Sequence, residues 1–98
     1  MWRLREHVHA AVTAEGGAVL DERTGRWTYL SPTAAAAVAF LCASTGREGA
    51  VERYAARYNL PAGRAAADVA AVADALTAAG LAGDEPVVRR RFGWGWWR

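Results

Sequence analysis

Lysine is absent from this chain of 98 residues, so all twelve basic residues are arginine. The single cysteine, Cys42, excludes an intramolecular disulfide and argues against a cysteine-ligated metal site. Because Cys42 lies in an apolar run, we expect it to be a small buried residue. No stretch approaches the roughly 20 apolar residues that span a bilayer, and the N-terminus lacks the hydrophobic segment of a signal peptide. A cytoplasmic protein is therefore expected.

The charge is divided unevenly along the chain. Residues 1–88 hold eight arginines and ten acidic residues, a net charge of −2, whereas residues 89–98 hold four arginines and no acid. We therefore predict one domain over residues 1–83 and an arginine- and tryptophan-rich tail over residues 84–98. Such a tail suits a partner protein, a nucleic-acid strand or an anionic membrane. An untethered terminus is the alternative.

Alternating apolar residues and turn residues predict a three-stranded antiparallel meander near the N-terminus. The predicted strands cover residues 7–13, 18–22 and 26–30, with the first turn at residues 15–17. Gly25 can adopt the positive φ that the second turn favours. A sheet this small needs helices against one face to be stable.

Two helices are predicted directly after the sheet. Ser31 is a natural N-cap and Pro32 suits the first helical position, so a helix should run from there to about Ser44. A second helix is predicted over residues 47–58, with apolar and aromatic residues at helical spacing. Asn59 can adopt the left-handed conformation that ends it.

A third helix is predicted over residues 62–79. Gly80 is its stop signal, and Leu81 should fold back onto the last turn. Its apolar stripe consists of Ala65, Val69, Val72, Ala73, Leu76 and Ala79. The predicted fold class is therefore α+β, a winged helix-turn-helix-like arrangement with a three-stranded antiparallel sheet followed by three helices.

Few residues suit catalysis or metal binding. His7 and His9 lie two apart on a predicted strand and share a face, but a metal site usually needs a third and a fourth ligand. The serines and threonines stand where caps and turns need hydroxyl groups, and no glycine pattern matches a phosphate-binding loop. We predict no catalytic residue, no metal and no cofactor.

DNA binding is the alternative function that a winged-helix outline suggests. The helix that would enter the groove carries Asp68 and Asp74 against Arg64 alone, and acidic residues repel phosphate. A scaffold tethered to a membrane by the tail is a further alternative. Neither nucleic acid nor a membrane is the expected partner.

Two segments together resemble the PqqD-like family, the RiPP recognition elements. Residues 17–33, GAVLDERTGRWTYLSPT, fit the family's run "vLld..tG.y..Ln.t", with Ser31 in the usual asparagine place. The segment from Tyr58 to Leu81 fits its later run "y.v....a..Dv..fl..L...gLl". The resemblance covers roughly residues 5–82 and is strongest to the stand-alone leader-binding proteins of lasso peptide biosynthesis.

The resemblance implies a non-catalytic protein that binds the leader region of a ribosomally made precursor peptide. It implies delivery of that leader to a separate cysteine-protease-like leader peptidase, followed by an ATP-dependent macrolactam-forming cyclase. The leader would add as an antiparallel strand on the third predicted strand and lie against the third helix. The implied peptide-binding residues are Arg26, Trp27, Thr28, Tyr29, Leu30, Asp68, Val69, Val72, Ala73 and Leu76.

The resemblance also suggests roles for individual residues. The small Ala73 would make room for a leader aromatic residue or proline, and Asp68 would pair with a basic residue or a backbone donor. Ordinary core packing against the sheet is the alternative for Val69, Val72 and Leu76. For Val69 and Leu76 the two roles are equally expected, and both can hold at once. Trp27 and Tyr29 share one strand face opposite Thr28 and Leu30, and which pair faces the helices stays open at this point.

Overall fold

The described part of the chain forms two antiparallel sheets and a three-helix bundle. A computed structural model describes residues 2–43 and 46–84. Along this part of the chain the elements are β1 (Trp2–Leu4), β2 (Val8–Thr13), β3 (Gly16–Asp21), β4 (Arg26–Leu30), α1 (Pro32–Ala43), α2 (Arg47–Tyr58), α3 (Ala62–Ala78) and β5 (Ala82–Asp84). This order confirms the predicted α+β class, in which a three-stranded antiparallel sheet precedes three helices.

The three-stranded sheet has the order β2-β3-β4. Strand β4 has the predicted bounds, but β3 begins at Gly16, so the prediction of a turn at residues 15–17 was wrong. The turn lies instead at Ala14 and Glu15. The glycine pair permits close strand approach, because a Cβ at Gly17 would lie 2.6 Å from the carbonyl oxygen of Ala11.

A second sheet, which the sequence did not predict, joins the two ends of the described chain. In this sheet Trp2 lies opposite Asp84, and Leu4 opposite Ala82. Trp2 is 4% exposed. Its indole N–H lies 3.3 Å from the carbonyl oxygen of Ala73 and 3.1 Å from the hydroxyl of Thr77. The indole therefore anchors the N-terminus to α3.

The predicted caps of the first two helices are confirmed. The backbone N–H of Ala34 donates to the Ser31 hydroxyl over 3.2 Å at the start of α1. Helix α2 has the predicted bounds, and Asn59 follows it with a φ of 53°. At the start of α1 and at the end of α2, backbone groups that would otherwise lack a hydrogen-bond partner are thus paired.

The end of α3 is a Schellman motif. Gly80 has a φ of +79°, and its N–H donates to the carbonyl of Thr77. The N–H of Leu81 donates to the carbonyl of Leu76 over 2.9 Å, and both leucines are buried. The predicted return of Leu81 onto the helix is confirmed, and it leads the chain directly into β5.

Helix α1 is the central element, since it contacts both sheets and both other helices. Its Val38 and Leu41 are buried with Val19 of the sheet. Cys42 follows Leu41 but is exposed, so the prediction of a buried cysteine was wrong. One residue further along the helix, the side chain has rotated away from the core-facing stripe. Partial burial still raises the pKa of its thiol, and Arg3 opposes that shift.

Most of the predicted tail lies outside the described part of the chain. Strand β5 ends at Asp84, so the rest of the predicted tail, residues 85–98, lies outside the described residues. The division between residues 83 and 84 therefore stays a prediction. Within the described residues, no helix is long and apolar enough to cross a membrane.

Candidate functional site

Strand β4 lies at one edge of the three-stranded sheet. The direction of its backbone groups follows from one hydrogen bond, in which the N–H of Glu22 donates to the carbonyl of His7 over 2.8 Å. This bond makes His7 and Glu22 a hydrogen-bonded pair at the end of the β2–β3 ladder. Because backbone groups alternate in direction along a strand, Val19 and Asp21 must direct theirs toward β4.

The same alternation shows which residues of β4 direct their backbone groups to its free edge. Thr28 lies opposite Val19 and Leu30 opposite Gly17, so Thr28 and Leu30 pair with β3 through their backbones. Trp27 and Tyr29 then direct their N–H and C=O groups away from the sheet. Among the described residues, no strand pairs with this side of β4. The edge is therefore available to an added strand.

The side chains of β4 divide between two faces of the sheet. Val19 is fully buried against the helices, and directly opposed residues share a face, so Thr28 and Leu30 point toward the helices. Leu30 packs against the core. Trp27 and Tyr29 lie on the outer face and are 54% and 80% exposed. The question that the sequence left open is thereby answered.

A cavity of about 510 Å³ opens where β4 ends. Residues just after the strand form one wall, and side chains of α2 and α3 form the other. The full lining is Ser31, Thr33, Ala34, Tyr54, Tyr58, Leu60, Arg64, Asp68, Ala71 and Val72. We call the free edge of β4 together with this cavity the β4 groove.

The cavity combines an aromatic wall with one ion pair. The Tyr54 and Tyr58 rings have centroids 4.9 Å apart and are tilted by 56°. Arg64 Nε lies 3.4 Å from Asp68 Oδ2, one helical turn away. Burial raises the pKa of Tyr54 and the Asp68 carboxylate adds to this, while a side-chain hydrogen bond with Thr33 opposes it.

The predicted helix residues do not share one environment. Asp68 and Val72 line the cavity, whereas Val69, Ala73 and Leu76 are at most 4% exposed and belong to the core. The part of these three buried residues in peptide binding stays a prediction. Of the five predicted strand residues, Arg26, Trp27, Thr28 and Tyr29 are exposed and Leu30 is half-buried.

Helix α2 contributes to this site, which was not predicted from the sequence. Tyr54 and Tyr58 line the cavity together with Leu60. The signal was present, because two tyrosines four residues apart share one face of a helix. Nothing in the sequence indicated that this face closes over the end of β4, which depends on the packing of α2 against α3.

The two histidines each lie near one carboxylate. His7 Nε2 is 3.8 Å from Asp21 Oδ1, and His9 Nε2 is 3.2 Å from Glu22 Oε1. Within the part of the chain that the structure describes, no group of three or more histidine, cysteine, aspartate or glutamate residues could hold a metal ion. These side chains border the hairpin and lie outside the β4 groove.

The fold defines this chain as a winged helix-turn-helix-like α+β module with an open strand edge beside its helices. The family model of "Coenzyme PQQ synthesis protein D (PqqD)" matches residues 16–82, which is more than half of the chain. The chain belongs to the PqqD family, and the resemblance to PqqD-like recognition elements is confirmed.

Two solved structures are similar to this chain. One is "Lasso peptide synthetase B1 complexed with the leader peptide", with a TM-score of 0.73, 29% sequence identity, and coverage of 85% of this chain and 98% of that one. The other is "TbiB1 in Complex with the TbiA(beta) Leader Peptide", with a TM-score of 0.75, 18% identity, and coverage of 86% and 98%. The second likeness shows the fold alone. A search of curated proteins found no match.

Proposed function

We propose that this protein is a non-catalytic RiPP recognition element that binds the leader region of a ribosomally synthesised precursor peptide. The observation that carries the proposal is the β4 groove. Trp27 and Tyr29 direct their backbone groups outward from the free edge of β4. The cavity that Asp68 and Val72 line opens at Ser31, directly after that strand. Membership of the PqqD family supports it, as does the likeness to a lasso peptide synthetase B1 that was solved with a leader peptide.

Strand addition along β4 is the proposed binding mode. The leader backbone would pair with the outward N–H and C=O groups of Trp27 and Tyr29, which provides affinity with little demand on leader sequence. Side chains of an added strand alternate between the two faces. One set would lie beside the exposed rings of Trp27 and Tyr29, and the other set would point toward the helices.

The cavity would supply selectivity. Tyr54, Tyr58, Ala71 and Val72 offer an apolar surface to a leader side chain, and Asp68 is one-third exposed there. Ala73 is fully buried and is out of reach of a bound leader. We therefore propose that Ala71, and not Ala73, is the small residue against which an aromatic residue or proline of the leader packs. Asp68 would accept a hydrogen bond from a basic leader residue or from the leader backbone.

The finer steps of the proposal follow the family resemblance. The bound leader would be delivered to a separate cysteine-protease-like peptidase in lasso peptide maturation, with the macrolactam-forming cyclase acting afterwards. Binding one end of the precursor raises the local concentration of its cleavage site at the partner enzyme. We place this process in the cytoplasm and assign the protein no cofactor and no catalytic residue of its own.

The charges of α3 disfavour DNA binding. Arg64 lies 3.4 Å from Asp68 and is paired with it. Arg47 of α2 lies 3.6 Å from Asp74, whose side chain is 72% exposed. The helix that would enter a DNA groove therefore presents two carboxylates, each beside its own arginine, and no unopposed basic row for phosphates.

Fluorescence polarisation with a labelled leader peptide tests the proposal. The peptide is the N-terminal leader of a short precursor encoded beside this protein, and a scrambled leader is the control. We expect saturable binding that unlabelled leader displaces and that persists in moderate salt. Absence of leader binding, combined with specific binding of duplex DNA that falls steeply with salt, would favour a DNA-binding regulator instead.

A further inference from the structure

The sheet has a second open edge on the opposite side, at β2. On β2, His9 and Ala11 pair with β3 through their backbones, while Ala10 and Val12 direct their backbone groups outward. Every residue from His9 to Thr13 is exposed. Within residues 2–43 and 46–84, no strand pairs with this edge. The strand VHAAVT also lacks the proline and formal charges that usually protect a free edge.

Two hollows flank the β2 edge, and α1 contributes to both. A cavity of about 520 Å³ lies at the start of β2, where Trp2, Leu4 and Leu41 lie beside polar side chains. The polar lining residues are Arg3, Arg5, Glu6 and His9. A second cavity of about 280 Å³ lies at its end, where Val12, Ala39 and Phe40 contribute. The edge and its two hollows form a surface that we call the β2 groove.

The described chain ends beside this groove. Asp84 is the last residue of β5 and lies opposite Trp2, which itself lines the first hollow. From there, residues 85–91 can span up to about 23 Å when extended. Strand β2 has six residues, a length of about 20 Å. Residues 92–97 can therefore reach any part of the β2 groove.

The sequence of residues 92–97, FGWGWW, has the period of a strand. Phe92, Trp94 and Trp96 share one parity, and Gly93 and Gly95 share the other. An extended chain would place the three aromatic rings on one face and a bare backbone on the opposite face. Glycine within a strand often marks a place where another surface approaches closely.

We propose that residues 92–97 of this chain add as a strand to the β2 edge, with Phe92, Trp94 and Trp96 filling the hollows between β2 and α1. Four observations support the proposal: the unprotected edge, the two hollows with partly apolar linings, the end of β5 beside Trp2 and the alternation of aromatic residues and glycine in residues 92–96. It concerns the edge opposite the β4 groove, so it holds or fails independently of leader binding.

Amide hydrogen exchange of the full-length protein tests the proposal. We expect the Ala10 and Val12 amides to exchange at least about tenfold faster in Trp94→Ser than in the unaltered chain. Trp97→Ser is the matched control, because it removes the same ring from the opposite parity and should leave both rates unchanged. Neither substitution changes a residue of the described core, so urea denaturation of both variants serves as the check that the fold is kept. Equal exchange in the two variants would overturn the proposal.

A second pair of variants separates the two edges. Ala10→Pro removes an outward N–H from β2 without removing a ladder hydrogen bond, and Tyr29→Pro does the same at β4. Exchange protection of residues 93–97 should be lost in Ala10→Pro and kept in Tyr29→Pro. Loss only in Tyr29→Pro would assign the tail to the β4 edge and overturn the proposal. Protection that develops only on adding anionic vesicles would assign the tail to a membrane and also overturn it.

Discussion

Helix α3 presents two different surfaces to the rest of the molecule. On one side Val69, Ala73 and Leu76 are buried in the core. On the other side Asp68 and Val72 line the cavity at the end of β4. The family resemblance implied peptide binding for all five residues. The structure separates residues that hold the helix in place from residues that a bound peptide can touch.

This difference shows how one helix can serve stability and recognition at once. The buried side fixes the position of α3 relative to α1 and to Trp2, whose indole N–H reaches the carbonyl of Ala73. The cavity side can then vary in sequence without loss of the fold. Substitutions on the two sides should therefore change different measured quantities, namely the free energy of unfolding and the affinity for the leader.

The largest expected effect is on stability, from Leu76→Ala. Removing a buried leucine side chain leaves a cavity, and we expect the free energy of unfolding to fall by about 2–5 kcal/mol. Urea denaturation measures the change. Leader affinity, measured on the folded fraction, should stay within about threefold of the unaltered protein. A stability loss of less than about 1 kcal/mol would contradict the assignment of Leu76 to the core.

Val72→Asp should weaken leader binding more than it destabilises the fold. The new carboxylate would stand in the cavity beside Asp68, and placing it against the leader should cost about 2 kcal/mol of binding. The loss of unfolding free energy should be less than about 1 kcal/mol, because Val72 is only half-buried.

Ala67→Asp is the control for Val72→Asp. It adds the same charge to α3 at an exposed position that does not line the cavity. Fluorescence polarisation and urea denaturation of both variants give the comparison. If Val72→Asp lost equal free energies of leader binding and of unfolding, Val72 would be a core residue and not part of the binding surface.

Tyr29→Pro extends the comparison to the strand side of the groove. It removes an outward N–H, so leader affinity should fall by about 1–2 kcal/mol while the sheet stays folded. Thr28→Pro is the contrast, because the N–H of Thr28 faces β3 and its loss should destabilise the sheet itself. If Tyr29→Pro bound the leader normally, strand addition at this residue would be ruled out.

The smallest expected effect is that of Trp2→Phe. Phenylalanine keeps most of the buried ring but removes the indole N–H that lies 3.1 Å from the Thr77 hydroxyl. We expect a loss of about 1 kcal/mol in unfolding free energy. Leader affinity should not change, since Trp2 contacts the buried side of α3. A fall in affinity larger than the fall in stability would show that the two sides of α3 are coupled.

Local signals in the sequence were sufficient for much of this fold. The bounds of β4 and α2 were predicted correctly. Residues that favour turns or helix caps stand at both ends of each element, namely Gly25 and Ser31 for β4 and Gly46 and Asn59 for α2. The end of α3 was recognisable in the same way from Gly80 and Leu81. These features depend on interactions within about six residues.

Long-range pairing was not predictable in the same way. Strands β1 and β5 have three residues each and lie at opposite ends of the described chain, so neither has a recognisable alternation of its own. The same limit applies to the cavity, where Tyr54 and Tyr58 approach Asp68 only after α2 packs on α3. Helical spacing identified the apolar stripe of α3 but not which of its residues the cavity would expose.

Hydrogen exchange at β4 tests the central claim most directly. The amides of Trp27 and Tyr29 point away from the sheet, so they should exchange readily in the free protein. Saturating leader peptide should slow both by at least about tenfold, while a scrambled leader should have no effect. Unchanged exchange at Trp27 and Tyr29 with the leader fully bound would contradict strand addition on β4.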